Sequence, residues 1–374
     1  MRNNHHRYLS GKVRYAVVGL GHLAQNAVLP AFAHAQKNSA LTTLFSDDPV
    51  KLRAMSRQYR VENIFGYEDY DAILHGGEID AVYVSVPNHL HLDFCVRAAR
   101  AGVHVLCEKP LAATEEDCQQ IIKSCAENDA RLMTAYRLHF ERGNLEAIDL
   151  VRSGKIGEPR IFNSVFAMQV RAGNIRTQSK AGGGTLYDIG VYCINAARYM
   201  FGAEPTEVFC FSAAGKDRRF RQIEEMTSAL LRFPEERLAS FTASFGASDT
   251  ADFEVIGTRG KLRVMQAYDY SRPVILELMI DGRRQRKTFE RRDQFAPELV
   301  YFSDCILRDK EPEPSGIEGL LDVHIVRSLY TSAKEGMPVK LRELVRKRRP
   351  SLRQAIFRPR IGKPRLVNVA PPTK

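Results

Sequence analysis

The chain has 374 residues, 44% hydrophobic and 26% charged, a composition that folds and excludes wholesale disorder. That length exceeds one ordinary hydrophobic core and predicts two domains. A net charge of +11 would suit a nucleic-acid partner, but residues 341 to 374 alone carry eleven Lys/Arg against Glu343; the other 340 residues are nearly neutral, so no nucleic acid is expected.

Residues 1 to 12 form a short polar and basic arm with no apolar run, so export is not expected. From Val13 apolar strands alternate with helical stretches, the signature of a parallel sheet built from βαβ units. The strands fall at 13–18, 40–45, 80–86, 103–107 and 131–135, with helices at 22–35, 49–59, 89–101 and 115–128 between them. Residues 80–86 are almost continuously apolar, as in a strand covered on both faces. A doubly wound α/β domain over residues 13–138 follows. Beyond it, segments rich in Phe, Val and Thr at 160–170, 206–212, 227–233, 238–245 and 252–256 predict an open antiparallel sheet, with a turn at 257–260. Helices at 296–308 and 316–335 close this α+β domain, which runs over 139–340. Residues 341–374 hold dense positive charge and, beyond Val345, five prolines; they read as a basic tail, flexible or wrapped on another subunit.

Seven cysteines, an odd number without a CxxC pair, give neither a disulfide framework nor a zinc site; they read as reduced packing thiols, and no metal is expected. No run of eighteen apolar residues occurs, so no membrane span is expected and the predicted location is the cytoplasm.

Gly19-Leu20-Gly21-His22-Leu23-Ala24 directly follows the first strand and opens a helix. In that context it is a dinucleotide fingerprint: the glycines allow a tight turn and close approach of a pyrophosphate to the helix N-terminus, and Ala24 lets helix and strand pack. The alternative is a glycine turn without a ligand. At the end of the second strand NAD-preferring proteins present a carboxylate to the ribose. Here Ser46 stands there, with Lys51 one turn on, a pair that favours NADP and its 2′-phosphate. Asp47 and Asp48 leave NAD open, since either can turn to the ribose. Pro87, Asn88 and His91 follow the third predicted strand, and Glu108 and Lys109 end the fourth. Both places are carboxyl ends of parallel strands, where such sheets bind ligands. Lys109 beside a proline is either an ordinary exposed lysine or a fixed cation facing a reacting carbon.

Taken together, Val18–Ala24, Val86–His91, Cys107–Leu111, Ala135–Arg137, Gly182–Tyr192 and Gly319–Val323 resemble the Gfo/Idh/MocA oxidoreductases over residues 13 to 339, nearest the branch of glucose-fructose oxidoreductase and NADP-dependent aldose dehydrogenases. The resemblance implies a Rossmann domain, an open-sheet domain that often mediates homodimers or homotetramers, and a sugar substrate between them. It places Lys109 at the reacting oxygen and Tyr192 as the acid/base, with Asp188 orienting Lys109 or the substrate; Asp188 could equally cap a helix. A free phenol is almost wholly protonated at neutral pH, and adjacent positive charge favours the phenolate. Without the resemblance Tyr192 reads as a packing residue. Arg137 and Arg176 are candidates for sugar or cofactor phosphate, or for structural ion pairs. The chain has no tryptophan, a departure from glucose-fructose oxidoreductase. A competing reading keeps the fold as a regulatory sensor that binds NADP and a sugar without turnover, and another makes the basic tail an arm for nucleic acid or an anionic membrane.

Overall fold

A computed structural model describes residues 11–343 and 349–373; most of the N-terminal arm and six residues of the basic tail lie outside that span. The first domain comprises β1 (Val13–Val18), a π-helical turn (Ala24–Val28) running into α1 (Leu29–Ala35), β2 (Ser39–Phe45), α2 (Pro49–Tyr59), β3 (Asn63–Phe65), α3 (Tyr70–His75), β4 (Ala81–Val84), α4 (His91–Arg100), β5 (His104–Glu108), α5 (Glu115–Glu127) and β6 (Leu132–Ala135). The strands form one parallel sheet in the order β3-β2-β1-β4-β5-β6. Every residue of β4 is buried, as expected for a central strand with helices on both faces. β3 and α3 escaped the sequence reading because three and six residues hold too little periodicity.

The second domain contains α6 (Arg142–Arg152), β7 (Pro159–Ala167), α7 (Val191–Phe201), β8 (Glu207–Ala213), β9 (Met226–Phe233), β10 (Arg237–Ser244), β11 (Thr250–Gly257), β12 (Gly260–Met265), β13 (Val274–Ile280) and β14 (Arg283–Phe289). α8 (Ala296–Leu307), α9 (Gly316–Glu335) and β15 (Val339–Lys340) follow. The nine strands run β14-β13-β12-β11-β7-β10-β9-β8-β15. All neighbours are antiparallel except β7 and β10, which pair in parallel; the long connection carrying α7 makes that crossover possible. β9 shows why one face closes and the other stays open: Thr227, Ala229, Leu231 and Phe233 point into the core while Met226, Ser228 and Leu230 point out. α6, α7 and α9 pack on the inner face. The outer face keeps Phe211 67%, Leu230 55% and Leu238 52% exposed.

Two expectations are corrected. α8 belongs to the first domain's core rather than the second's: Leu299, Phe302 and Ile306 pack with Val17, Ala27 and Ala31, and Ser303 shares hydrogen bonds with Tyr15 (2.9 Å) and Ser39 (2.8 Å). Its apolar stripe simply matches the face that α1 and β1 leave uncovered. α9 then crosses back, with Leu320 and Val323 in the first domain's core and Ile325, Val326 and Leu329 in the second's. The second correction concerns the tail. Residues 349–373 run as an extended strap over both domains: Arg152 donates to the Pro350 carbonyl (2.9 Å), Gln354 to that of Glu313 (2.8 Å), and Arg358 to that of His34 (2.8 Å). Ile356, Ile361 and Val367 pack on the first domain's core.

One buried charge network knits α7 to α9. Arg198, fully buried, donates to Glu318 (2.8 Å) and Asp322 (2.6 Å) and pairs with Glu204; Asn195 and Tyr136 also donate to Asp322. Burial raises the Asp322 carboxyl to about 7 despite Arg198. In the same segment Gly319 is required by packing, since a Cβ there would lie 2.6 Å from that of Leu111.

Candidate functional site

β1 and β4 are the strands at which the order of the sheet reverses, and their carboxyl ends open into a cavity of about 880 Å³ lined by both domains. Its floor is the glycine motif. Gly19 has φ +94°, and a Cβ there would stand 2.6 Å from the Ser85 carbonyl oxygen, so the turn passes directly against the end of β4. Gly21 differs: its φ is not positive and a Cβ would meet nothing within 4 Å. Packing within the protein therefore does not demand glycine there, whereas a phosphate approaching the following helix start would. Leu20, His22 and Leu23 line the same floor, and Ala24 is fully buried beneath it. Burial, and then the charge of Arg176, lower the His22 pKa.

At the end of β2, Ser46 and Lys51 both face the cavity. Asp48 does not compete for a ribose: it caps α2, accepting from the backbone of Val50 (2.9 Å) and Lys51 (3.1 Å), and its other oxygen is 3.6 Å from the Lys51 ammonium. Asp47 also lines the cavity.

The loops after β4 and β5 are fixed by internal contacts. His91 is fully buried with its two ring nitrogens 2.9 and 3.0 Å from the carbonyl oxygens of Pro110 and Val86, so it joins the two loops and offers neither nitrogen to a cofactor. This corrects its place among the cofactor contacts. Pro87 lines the cavity, and Asn88 donates to the Gly182 carbonyl (2.8 Å), tying the first domain to the triple-glycine segment. Gly183 has no room for a side chain, because a Cβ would lie 2.4 Å from the Arg176 carbonyl oxygen. Glu108 accepts from Tyr83 (2.7 Å) and from the Lys109 amide (3.3 Å); burial raises its pKa against the pull of Lys109.

Lys109 reaches across the cleft. Its ammonium donates to the Asp188 carbonyl (2.7 Å) and carboxylate (3.2 Å), and the other carboxylate oxygen pairs with Arg176 at 2.5 Å. Burial alone would raise the Asp188 pKa, but Arg176 and Lys109 outweigh it and hold the carboxyl at about 2. Burial likewise works against the Lys109 charge, yet Asp188 and its neighbours leave its pKa raised. Asp188 is thus an ion-pair partner and not a helix cap, and the Arg176 guanidinium is engaged by it. Tyr192, one helical turn further along, projects onto the same face. Its ring centre lies 5.0 Å from the Lys109 nitrogen and 5.0 Å from the guanidinium carbon of Arg137, with Phe166 and Tyr268 packed against it. Arg137 is buried, donates to Gln294 and the Tyr268 carbonyl, and shares a hydrogen bond with the Tyr192 side chain.

Sequence reasoning missed Tyr268 and Tyr270, which wall the cavity from the β12–β13 connection, and the strap residues 369–373. Neither group sits in a motif; only the fold brings them there. Among the described residues no cluster of His, Cys, Asp and Glu is arranged to hold a metal, all seven cysteines are buried without a disulfide, and no helix is long and apolar enough to cross a membrane.

Comparison with known proteins agrees with this geometry. Residues 13–136 match the family described as "oxidoreductase family, NAD-binding Rossmann fold", and residues 144–263 match the GFO/IDH/MocA C-terminal domain. D-xylose 1-dehydrogenase [NADP(+)] of Haloarcula marismortui is 32% identical over 336 residues, 88% of this chain and 93% of that protein. Aldose-aldose oxidoreductase from Caulobacter crescentus, solved with glycerol, superposes with a TM-score of 0.84 at 35% identity, covering 88% of this chain and 100% of that one. A 3-ketoreductase from Actinomadura kijaniata, solved with NADP and TDP-benzene, gives 0.79 at 27% identity over 86% of this chain and 98% of its own. The chain belongs to the Gfo/Idh/MocA oxidoreductase family.

Proposed function

We propose that the protein is an NADP-dependent oxidoreductase that moves a hydride between nicotinamide and a CH–OH group of a sugar, an aldose or related pyranose. The observation that carries this reading is the placing of a phenol, Tyr192, against two cations, Lys109 and Arg137, in the wall of a cleft floored by a dinucleotide turn. The open space above Gly21 and the Ser46–Lys51 pair fit NADP, and when bound it supplies the hydride acceptor or donor at its nicotinamide. Tyr192 takes the hydroxyl proton during oxidation and returns it during reduction. Lys109 and Arg137 set two positive charges against Tyr192, Asp188 aims Lys109, and Arg176 holds Asp188. A sensor has no use for an acid/base pair so arranged. The exposed apolar residues on the outer sheet face support assembly into a homodimer or homotetramer through that sheet.

Purified protein mixed with NADP and a panel of aldoses is expected to show nicotinamide reduction; a protein that binds NADP and turns over no sugar would favour the sensor. Cofactor titration is expected to give tighter binding of NADP than of NAD. Ser46→Asp, which sets a carboxylate against the 2′-phosphate, is expected to weaken NADP binding by about 10- to 150-fold, the range of one charge-assisted hydrogen bond, while sparing NAD. Tighter NAD binding by the natural protein would overturn the NADP choice.

A further inference from the structure

The basic tail does more than cover surface. Val367 is gripped on both sides by one buried side chain, Gln25: its amide donates to the Gln25 oxygen (2.8 Å) and its carbonyl accepts from the Gln25 nitrogen (3.0 Å). The same nitrogen donates to the Leu20 carbonyl (2.9 Å), inside the glycine turn. Asn368, next in the chain, hydrogen-bonds Asp48, the cap of α2 beside Ser46 and Lys51. Residues 369–373 then line the cavity and cross to the second domain. There the Arg171 amide donates to the Pro372 carbonyl (2.9 Å), and Thr373 forms an antiparallel bridge with Val170. The strap is therefore fastened to the phosphate turn and ribose corner at one end and to the sheet domain at the other.

We infer that residues 367–373 are a retaining strap over the nucleotide, closing its exit so that NADP leaves only when the Gln25 and Val170–Arg171 fastenings open. This rests on the NADP reading above, and the strap has a separate readout. NADPH dissociation is followed by its fluorescence after mixing the loaded protein with excess NADP. The measurement uses three forms: the full chain, a chain ending at Leu366, and a Val170→Cys/Thr373→Cys variant. The last pair faces across a non-hydrogen-bonded bridge position, a spacing a disulfide can span.

Dissociation is expected to be at least about 10-fold faster without the strap, and at least about 10-fold slower in the oxidised double-cysteine variant, with recovery on reduction. Rates within about two-fold of each other in all forms would overturn the strap. Should the shortened chain fail to fold, the reversible cross-link decides alone. Non-reducing electrophoresis is expected to show a monomer-sized band; a dimer-sized band would overturn the assignment to the chain's own cleft. If the full chain binds NADH but not NADPH, the cofactor choice falls and the strap is read from NADH release. Binding of neither overturns both.

Discussion

Tyr192→Phe is expected to lower turnover by about 10² to 10⁴, the worth of a positioned proton donor and acceptor, while NADP titrates as before. The substitution removes one oxygen and leaves the ring packed between Phe166 and Tyr268, so folding is unchanged. Lys109→Met is expected to cost turnover on the same scale for a different reason. The Lys109 pKa is raised, so it is an ammonium throughout the neutral range and acts as a fixed charge, not as a base. No limb of a neutral pH profile should then belong to it. Asp188 sets the other boundary: its pKa is depressed to about 2, so its ion pairs with Arg176 and Lys109 are complete above the ordinary carboxylate range and are lost only as pH falls through that value. Near-normal turnover in both variants would remove the mechanism.

Arg198→Met is expected to lower stability by about 3–5 kcal/mol, read from urea denaturation, because it strands Glu318 and Asp322 as buried carboxylates without their cation. The pH dependence follows from the direction of the Asp322 shift. Burial raises that pKa to about 7 even with Arg198 present, so the folded state holds protons that the unfolded chain releases, and stability falls as pH rises. Losing the guanidinium strengthens that trend, so the deficit should be smaller near about pH 5 than near about pH 8. A loss under about 1 kcal/mol would mean that the network contributes little beyond packing.

Much of this molecule was legible because local sequence and global fold agree. The five strands read between residues 13 and 135 are all present, and the glycine motif lies where strand, turn and helix demanded it. Ser46, Lys51 and Lys109 could be singled out because each follows a recognisable strand end, whereas the roles of Lys109, Asp188 and Tyr192 came from the family resemblance. His91 misled for a physical reason: its position next to a strand end suits a ligand contact, but only the fold reveals that both nitrogens already face carbonyl oxygens. α8 carried an ordinary amphipathic signal, which states that a helix is half buried and not against what. Arg176 and Arg137 were ambiguous by residue type, and contacts more than ten residues away in the chain settled their partners. The strap lacked any periodic signal, since its hold depends on backbone groups and a single glutamine.

The return of α8 to the first domain and the passage of α9 back to the second mean that the boundary near residue 138 is not a place where the chain can be cut. A fragment ending there would leave Asn38, Ser39 and Tyr15 facing solvent in place of Val300, Leu299 and Ser303. The complementary fragment would expose the apolar side of α8. The two lobes are thus sewn into a single cooperative unit, and melting of either one should carry the other with it.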